Sequence, residues 1–208
     1  MNSVHSIADL SRCPFRWKGA CVKEGLVNFE KESFMALLPI ITAPNAKLKV
    51  KSEAVETVDD EIRQLLDDML ETMYAAPGIG LAAIQVGVPK RAIVVDLGRD
   101  SQPDGPLFLV NPEIWWASDE LLGREEGCLS LPEQYADVVR PSEVKISYVD
   151  YDNNKSELYA DGILSTCIQH EMDHLEGILF VDHLSTVKRS IIVRKLAKAR
   201  KKVQYETI

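Results

Sequence analysis

Apolar and polar positions along this chain fall into blocks of different period. Over residues 58–74, Ile62, Leu65, Leu66, Met69, Leu70 and Met73 recur at helical spacing. Asp59, Asp60, Glu61, Arg63, Asp67, Asp68 and Glu71 fall mostly elsewhere. This predicts an amphipathic helix whose Met and Leu stripe packs into the core. Thr57 is the expected N-cap, Asp59 and Asp60 suit the positive end of the helix dipole, and Pro77 ends the helix. Before it, residues 37–48 are apolar and broken by proline, which reads as an extended arm with turns. After it, Pro77-Gly78-Ile79-Gly80-Leu81-Ala82-Ala83-Ile84-Gln85-Val86-Gly87 reads as a glycine-rich turn between helix and strand. Its glycines follow a helix and have the wrong spacing for a dinucleotide fingerprint.

The period then shortens. Residues 91–97 and 107–110 read as buried strands joined by a polar loop, with Trp115 and Trp116 on or beside a strand, packed in the core or at its rim. Val144, Ile146 and Tyr148 alternate with polar neighbours over 143–150. A turn-rich stretch follows, and the chain returns over 156–160, which is an antiparallel hairpin. Asp161 can cap a helix running to about residue 176, where Gly177 stops it. That helix is unusually apolar for its length and is expected inside the molecule, with sheets around it. A last helix over about 186–203 has Ile191, Ile192, Leu196 and Ala199 on one face. The fold class is therefore α+β: antiparallel β-sheets packed around a central helix, plus a C-terminal helix.

Composition adds limits. A chain of 208 residues with 46% hydrophobic and 27% charged residues reads as one domain with a real core. No apolar run approaches the roughly 18 residues of a membrane span. A formal net charge of −8 does not suit nucleic acid over the surface as a whole. That charge is unevenly spread: residues 188–202 hold eight Lys and Arg and no acid, leaving sixteen cationic against thirty-two acidic side chains elsewhere. Cys13, Cys21, Cys128 and Cys167 show no regular spacing, which favours free or metal-bound thiols in a reducing, cytoplasmic setting. Residues 1–34 have no sustained period and no secretory h-region, and their five basic and four acidic side chains do not make a transit peptide. They are expected to be a dispensable extension, with Met35 a natural start for the domain over 35–208.

The chemistry concentrates in Gln169-His170-Glu171-Met172-Asp173-His174-Leu175. On a helix, His170 and His174 lie on one face and can share a metal ion, and Glu171 can reach a water on it. Such a site needs a third ligand and an open position. Cys167 lies on the same helix, and the roughly 10 Å rise from it to His174 would strain a shared site, so it reads as a small core residue. His183 follows Gly177 in a new segment and reads as an ordinary histidine. Cys128, in Arg124-Glu125-Glu126-Gly127-Cys128-Leu129-Ser130-Leu131-Pro132, comes from a different element and can approach from across the site.

Three stretches in order now resemble one family. Gly78-Ile79-Gly80-Leu81-Ala82-Ala83-Ile84-Gln85, Glu126-Gly127-Cys128-Leu129-Ser130 and Gln169-His170-Glu171-Met172-Asp173-His174-Leu175-Glu176-Gly177 are similar to the three motifs of peptide deformylase. The resemblance covers the chain from about Met35 onward. It implies Cys128, His170 and His174 as metal ligands, Glu171 as general base, and Gln85 with the Leu129 backbone N–H as oxyanion donors. It implies a substrate cleft at Gly78, Ile79 and Gly80, with Glu126 and Cys167 assigned beside them. Fe(II) is the expected metal, with Zn, Ni or Co able to occupy the same ligands. The substrate would be the N-formyl-methionine end of nascent peptides, and the enzyme a monomer with no membrane attachment. Two departures stand out. Tyr135 follows Pro132-Glu133-Gln134 where relatives often carry arginine, which bears on peptide affinity. Pro44-Asn45-Ala46 lacks a second proline, which bears on local rigidity.

Two other readings compete. A metallo-endopeptidase would need a third ligand in a recognisable motif downstream of His174, and none is there. A catalytically dead metal- or ribosome-binding module would not need the intact Glu171 and Gln85. The basic C-terminal helix suggests contact with ribosomal RNA.

Overall fold

The structure is a computed structural model that describes residues 36–98, 100–102 and 105–206, with side chains described as far as residue 200. The expectation for residues 1–34 lies outside the described residues. Helix α1 spans Asp60–Ala75. Seven strands follow: β1 (Gly80–Ala82), β2 (Ala92–Val95), β3 (Leu107–Ala117), β4 (Leu121–Cys128), β5 (Leu131–Pro141), β6 (Glu143–Val149) and β7 (Lys155–Asp161). Helices α2 (Gly162–Leu175) and α3 (Thr186–Glu206) close the chain. Short 3-10 turns lie at Ala46–Lys49, Ala83–Val86 and Phe180–His183.

Five strands form one antiparallel sheet in the order β1-β2-β3-β6-β7, and β4 and β5 pair as a separate hairpin. The larger sheet is covered on both faces. Ile93 and Val95 of β2 pack with Leu109, Val144 and Ile146 against Ile168 and Leu175 of α2. Ala92 and Val94 point the other way, against Leu66, Met69 and Met73 of α1. This two-sided burial explains why β2 is apolar throughout instead of alternating. Each fully buried Ile or Leu contributes about 1.5–3 kcal/mol relative to exposure. A third cluster joins the hairpin to α3 and the turn before it through Leu131, Val138, Phe180, Val181, Ile192 and Leu196.

The α+β architecture is as expected, and the structure differs from the sequence reading in local details. The N-cap of α1 is Asp59, not Thr57: its Oδ1 accepts from the Ile62 N–H at 3.0 Å. The helix starts two residues later than periodicity suggests, because a carboxylate at Asp59 both caps it and meets the positive dipole end. Within the expected glycine-rich turn, Gly80–Ala82 is a strand, paired with Ile93–Val95. Strand β3 runs on past Val110 through two register shifts, the second at Trp115, and Trp115 and Trp116 are exposed, not packed in the core. The Lys145 ammonium lies 5.4 and 5.2 Å from their ring centroids. The hairpin β4–β5 had no periodic signal, because one face is wet and the inner face carries charges. Strands β6 and β7 and helix α2 lie where expected, and Gly177 takes φ 71° just past the end of α2. Among the described residues, no helix is long and apolar enough to cross a membrane.

Candidate metal centre

Helix α2 carries the site because its inner face is buried around His170, Glu171 and His174. The two imidazoles stand edge to face with centroids 5.0 Å apart, as the four-residue spacing demands. Cys128 arrives from the end of β4, where the register shifts between Gly127 and Cys128. Its Sγ lies 3.2 Å from His174 Nε2. One donor atom from each of Cys128, His170 and His174 lies within 4.8 Å of the others. Ligand edges in a tetrahedral thiolate–imidazole site are about 3.5 Å, so these donors suit a divalent ion. Cys167 and His183, weighed as third ligands, are not in the cluster. Cys167 is buried with its Sγ 3.6 Å from the Ile79 carbonyl, and His183 pairs with Asp173.

The surroundings push the two histidines in opposite directions. Burial opposes charge on His170, yet the adjacent Cys128 and Glu126 draw positive charge to it and push its pKa well above the usual histidine value. Burial and nearby positive groups push His174 the other way, keeping it neutral, which is the form that ligates metal. Behind His170 runs a chain of charged contacts. Glu126 Oε2 meets His170 Nδ1 at 2.7 Å, which leaves Nε2 free for a metal. Arg140 grips the same carboxylate through Nε at 2.6 Å and Nη2 at 3.1 Å, and reaches Asp173 at 2.8 Å. Asp173 then meets His183 Nε2 at 2.7 Å. Burial alone would raise the Glu126 carboxyl, but the hydrogen bonds from His170 and Arg140 outweigh it and hold the pKa down to about 2.

Glu171 has the opposite setting. Burial pushes its pKa up to about 7, and its Oε2 is sealed from solvent without a hydrogen-bond partner. Gly80 explains how the first glycine-rich stretch reaches it. A Cβ on Gly80 would stand 2.5 Å from Glu171 Oε1 and 2.8 Å from Cys167 Sγ, so only glycine lets β1 approach this closely. Gln85 is buried. Its Oε1 accepts from the Ala82 N–H at 2.7 Å, and its Nε2 donates to Ser130 Oγ at 3.1 Å and lies 3.5 Å from Cys128 Sγ.

A cavity of about 830 Å³ opens over Cys128, His170 and Glu171, whereas Gln85 and His174 lie behind its lining. Gly78, Ile79, Gly80, Leu129 and Cys167 line it, together with Cys128, His170 and Glu171. Glu126 borders it too, but its carboxylate is turned to His170 and Arg140.

This geometry can be set beside known proteins. The polypeptide deformylase family model matches residues 37–190. The chain belongs to that family. Peptide deformylase of Phenylobacterium zucineum is 57% identical over 167 residues, which is 80% of this chain and 99% of the relative. That of Pelagibacter ubique is 55% identical over 166 residues, 80% of this chain and 96% of the relative. Among solved structures, the Ehrlichia chaffeensis peptide deformylase in complex with actinonin superposes with TM-score 0.76 at 43% identity, covering 79% of this chain and 98% of that one.

Polypeptide deformylases are metal-dependent hydrolases of formyl-methionine amides. All three motif stretches of this family member converge on one cleft, including the Cys128 turn that is forty-two residues from His170 in sequence. Sequence reasoning missed Arg140, Asp173 and Ser130. A charged residue on a mostly polar strand carries no periodic signal, and only the fold shows that Arg140 is buried against Glu126. Tyr135, the departure from the usual arginine, pairs with Gly127 across the hairpin and lies at the cleft edge.

Proposed function

We propose that this chain removes the formyl group from the N-terminal formyl-methionine of nascent polypeptides by metal-assisted hydrolysis. The observation that carries the reading is the Cys128, His170 and His174 donor cluster beside a buried, unpartnered Glu171 carboxylate. Those three side chains would hold the ion, with Fe(II) the expected metal. A bound divalent ion supplies Lewis-acid polarisation of the formyl carbonyl and lowers the pKa of water it holds.

The chain's own residues do the rest. Glu171, with a pKa pushed up to about 7, takes the proton from the attacking water and passes it to the departing amine. The Gln85 amide and the Leu129 N–H meet the negative charge that grows on the former carbonyl oxygen. Glu126 and Arg140 hold the His170 ring in the orientation that turns Nε2 to the metal. Gly78, Ile79 and Gly80 line the path of the peptide, and Cys167 packs beneath them. Formate and a free methionine amine are the products.

The catalytic domain is residues 35–208, residues 1–34 are dispensable, and the enzyme works as a monomer in the cytoplasm. Helix α3, with its run of Lys and Arg, docks on ribosomal RNA where nascent chains emerge. Ribosome pelleting that weakens with salt and with charge reversal at Lys195 and Lys198 checks that contact; binding indifferent to both removes it.

The deciding experiment is formate release from a formyl-methionyl peptide by protein loaded anaerobically with Fe(II), beside Glu171→Ala. The expected result is a loss of about 10²–10⁴-fold or more in the variant with metal still bound. A folded, metal-loaded wild type that releases no formate overturns the reading.

A further inference from the structure

Arg124 precedes Glu126 by two residues on β4, so strand alternation puts both side chains on the same face, ahead of the register shift that leads into Cys128. The two arginines near the site differ. Arg140 is saturated by Glu126 and Asp173. Arg124 has no ion-pair or hydrogen-bond partner among the described residues, and its Nε is sealed from solvent without an acceptor. Its Nη2 lies 3.9 Å from where a Cβ would stand on Gly162, so the guanidinium sits against the first turn of α2. There it lines the cleft beside Ile163 and Thr166.

Among the residues lining that cleft, Arg124 is the one Lys or Arg, whereas Glu125, Glu126, Glu133 and Glu171 are acidic. A buried donor without an acceptor is costly, and a charged one more so, until a ligand oxygen meets it. The planar guanidinium fork matches a carboxylate better than any neutral acceptor. From Cys128 back to Arg124 the strand rises about 13 Å. An extended peptide whose formyl group lies at the donor cluster covers that distance in about four residues. The long arginine side chain closes part of the gap, which brings it to the second and third residues of the substrate.

We propose that Arg124 is a specificity-determining residue that selects formyl-methionyl substrates carrying Asp or Glu at the second or third position. This rests on the deformylase reading above. The neighbouring Glu125 and Glu133 sharpen the selection, because they disfavour an anion everywhere the fork does not reach.

The test compares kcat/KM, by formate release, on isosteric peptide pairs: Asp against Asn at position two, and Glu against Gln at position three. Wild type, Arg124→Met and Arg124→Lys are run at low and high salt. The expected wild-type preference for the acid is about tenfold in at least one pair. It falls to about one in Arg124→Met, is partly retained in Arg124→Lys, and shrinks with salt. A wild-type ratio of one or below overturns the proposal without any variant. So does an Arg124→Met loss that is equal for acid and amide, which would mean that the fork holds a backbone carbonyl instead. Absence of formate from every peptide, including the neutral formyl-Met-Ala-Ser, overturns the enzymatic reading itself and this proposal with it.

Discussion

The five-stranded sheet and the β4–β5 hairpin are held in the molecule by different forces. The sheet buries apolar side chains on both faces, against α1 and α2. The hairpin exposes Leu121, Tyr135 and Val139, and its links to α2 are polar: the charged chain of Glu126, Arg140 and Asp173, and the Gln169 amide donating to the Pro141 carbonyl. Its apolar anchorage, through Leu131 and Val138, faces Phe180 and α3, and Cys128 packs against that cluster. Hydrophobic burial is non-directional and tolerates small shifts. A bidentate Arg–carboxylate pair fixes orientation. The element that must aim Cys128 and hold His170 thus adds directional contacts to its apolar packing, while the sheet supplies bulk stability.

Removing Arg140 should have the largest effect. Arg140→Met leaves the buried Glu126 charge without its main partner and is expected to cost about 3–5 kcal/mol. Because it also loosens the support of His170, metal affinity should fall by about 10–100-fold in chelator competition. Denaturant midpoints and chelator titration check both halves. Stability lost with metal affinity intact would break the comparison, by making the hairpin a merely structural element.

Ile146→Ala is the counterpart in the sheet. Ile146 is fully buried, so truncation should cost about 2–5 kcal/mol by lost burial and cavity formation. Metal affinity of the folded protein should stay at the wild-type value, measured by the same titration. A parallel loss of metal would show that the sheet, too, sets the site geometry.

The smallest effect concerns Asp182, in the turn before α3. Its carboxylate accepts from the Leu179 N–H at 2.8 Å and pairs with Lys49 and, at 2.9 Å, with Arg189. Burial raises its pKa, but the Lys49 and Leu179 hydrogen bonds and the Lys49 and Arg189 charges outweigh that and leave it lowered. A lowered carboxylate pKa stabilises the fold above the unfolded value, near about 3.9, and the benefit disappears as pH falls through the folded value. Asp182→Asn should therefore cost about 1 kcal/mol or less at neutral pH, since both cations are partly exposed. The difference from wild type should shrink below about pH 4. A difference constant down to pH 2 in thermal melts would mean that packing, not charge, ties this turn to α3.

Legibility of the sequence followed the same division. The helices and the strands at the sheet centre announce themselves by period, since their apolar faces meet the core directly. The α1 cap was misplaced by two residues because Thr57 and Asp59 are both good capping residues, and only the backbone angles choose between them. The hairpin left no periodic trace: its inner face carries the charged Arg124, Glu126 and Arg140, so no apolar stripe marks it. For the site, the motif stretches named Cys128, His170, Glu171 and His174 as residues to inspect, whereas Arg140 and Asp173 behind them, and the unpartnered Arg124 beside them, had no local mark.

By itself, the sequence determined the helix that brings His170 and His174 onto one face, the doubly buried strand β2, and the charge imbalance between the C-terminal helix and the rest. Each depends on neighbours a few residues apart, so local period is enough. Only the tertiary structure decided that Cys128 closes on those histidines, that Gly80 lets a strand lie against Glu171, and that one arginine is neutralised while another faces the cleft unpaired. Those facts depend on contacts between residues tens of positions apart, and on which charges burial leaves without water.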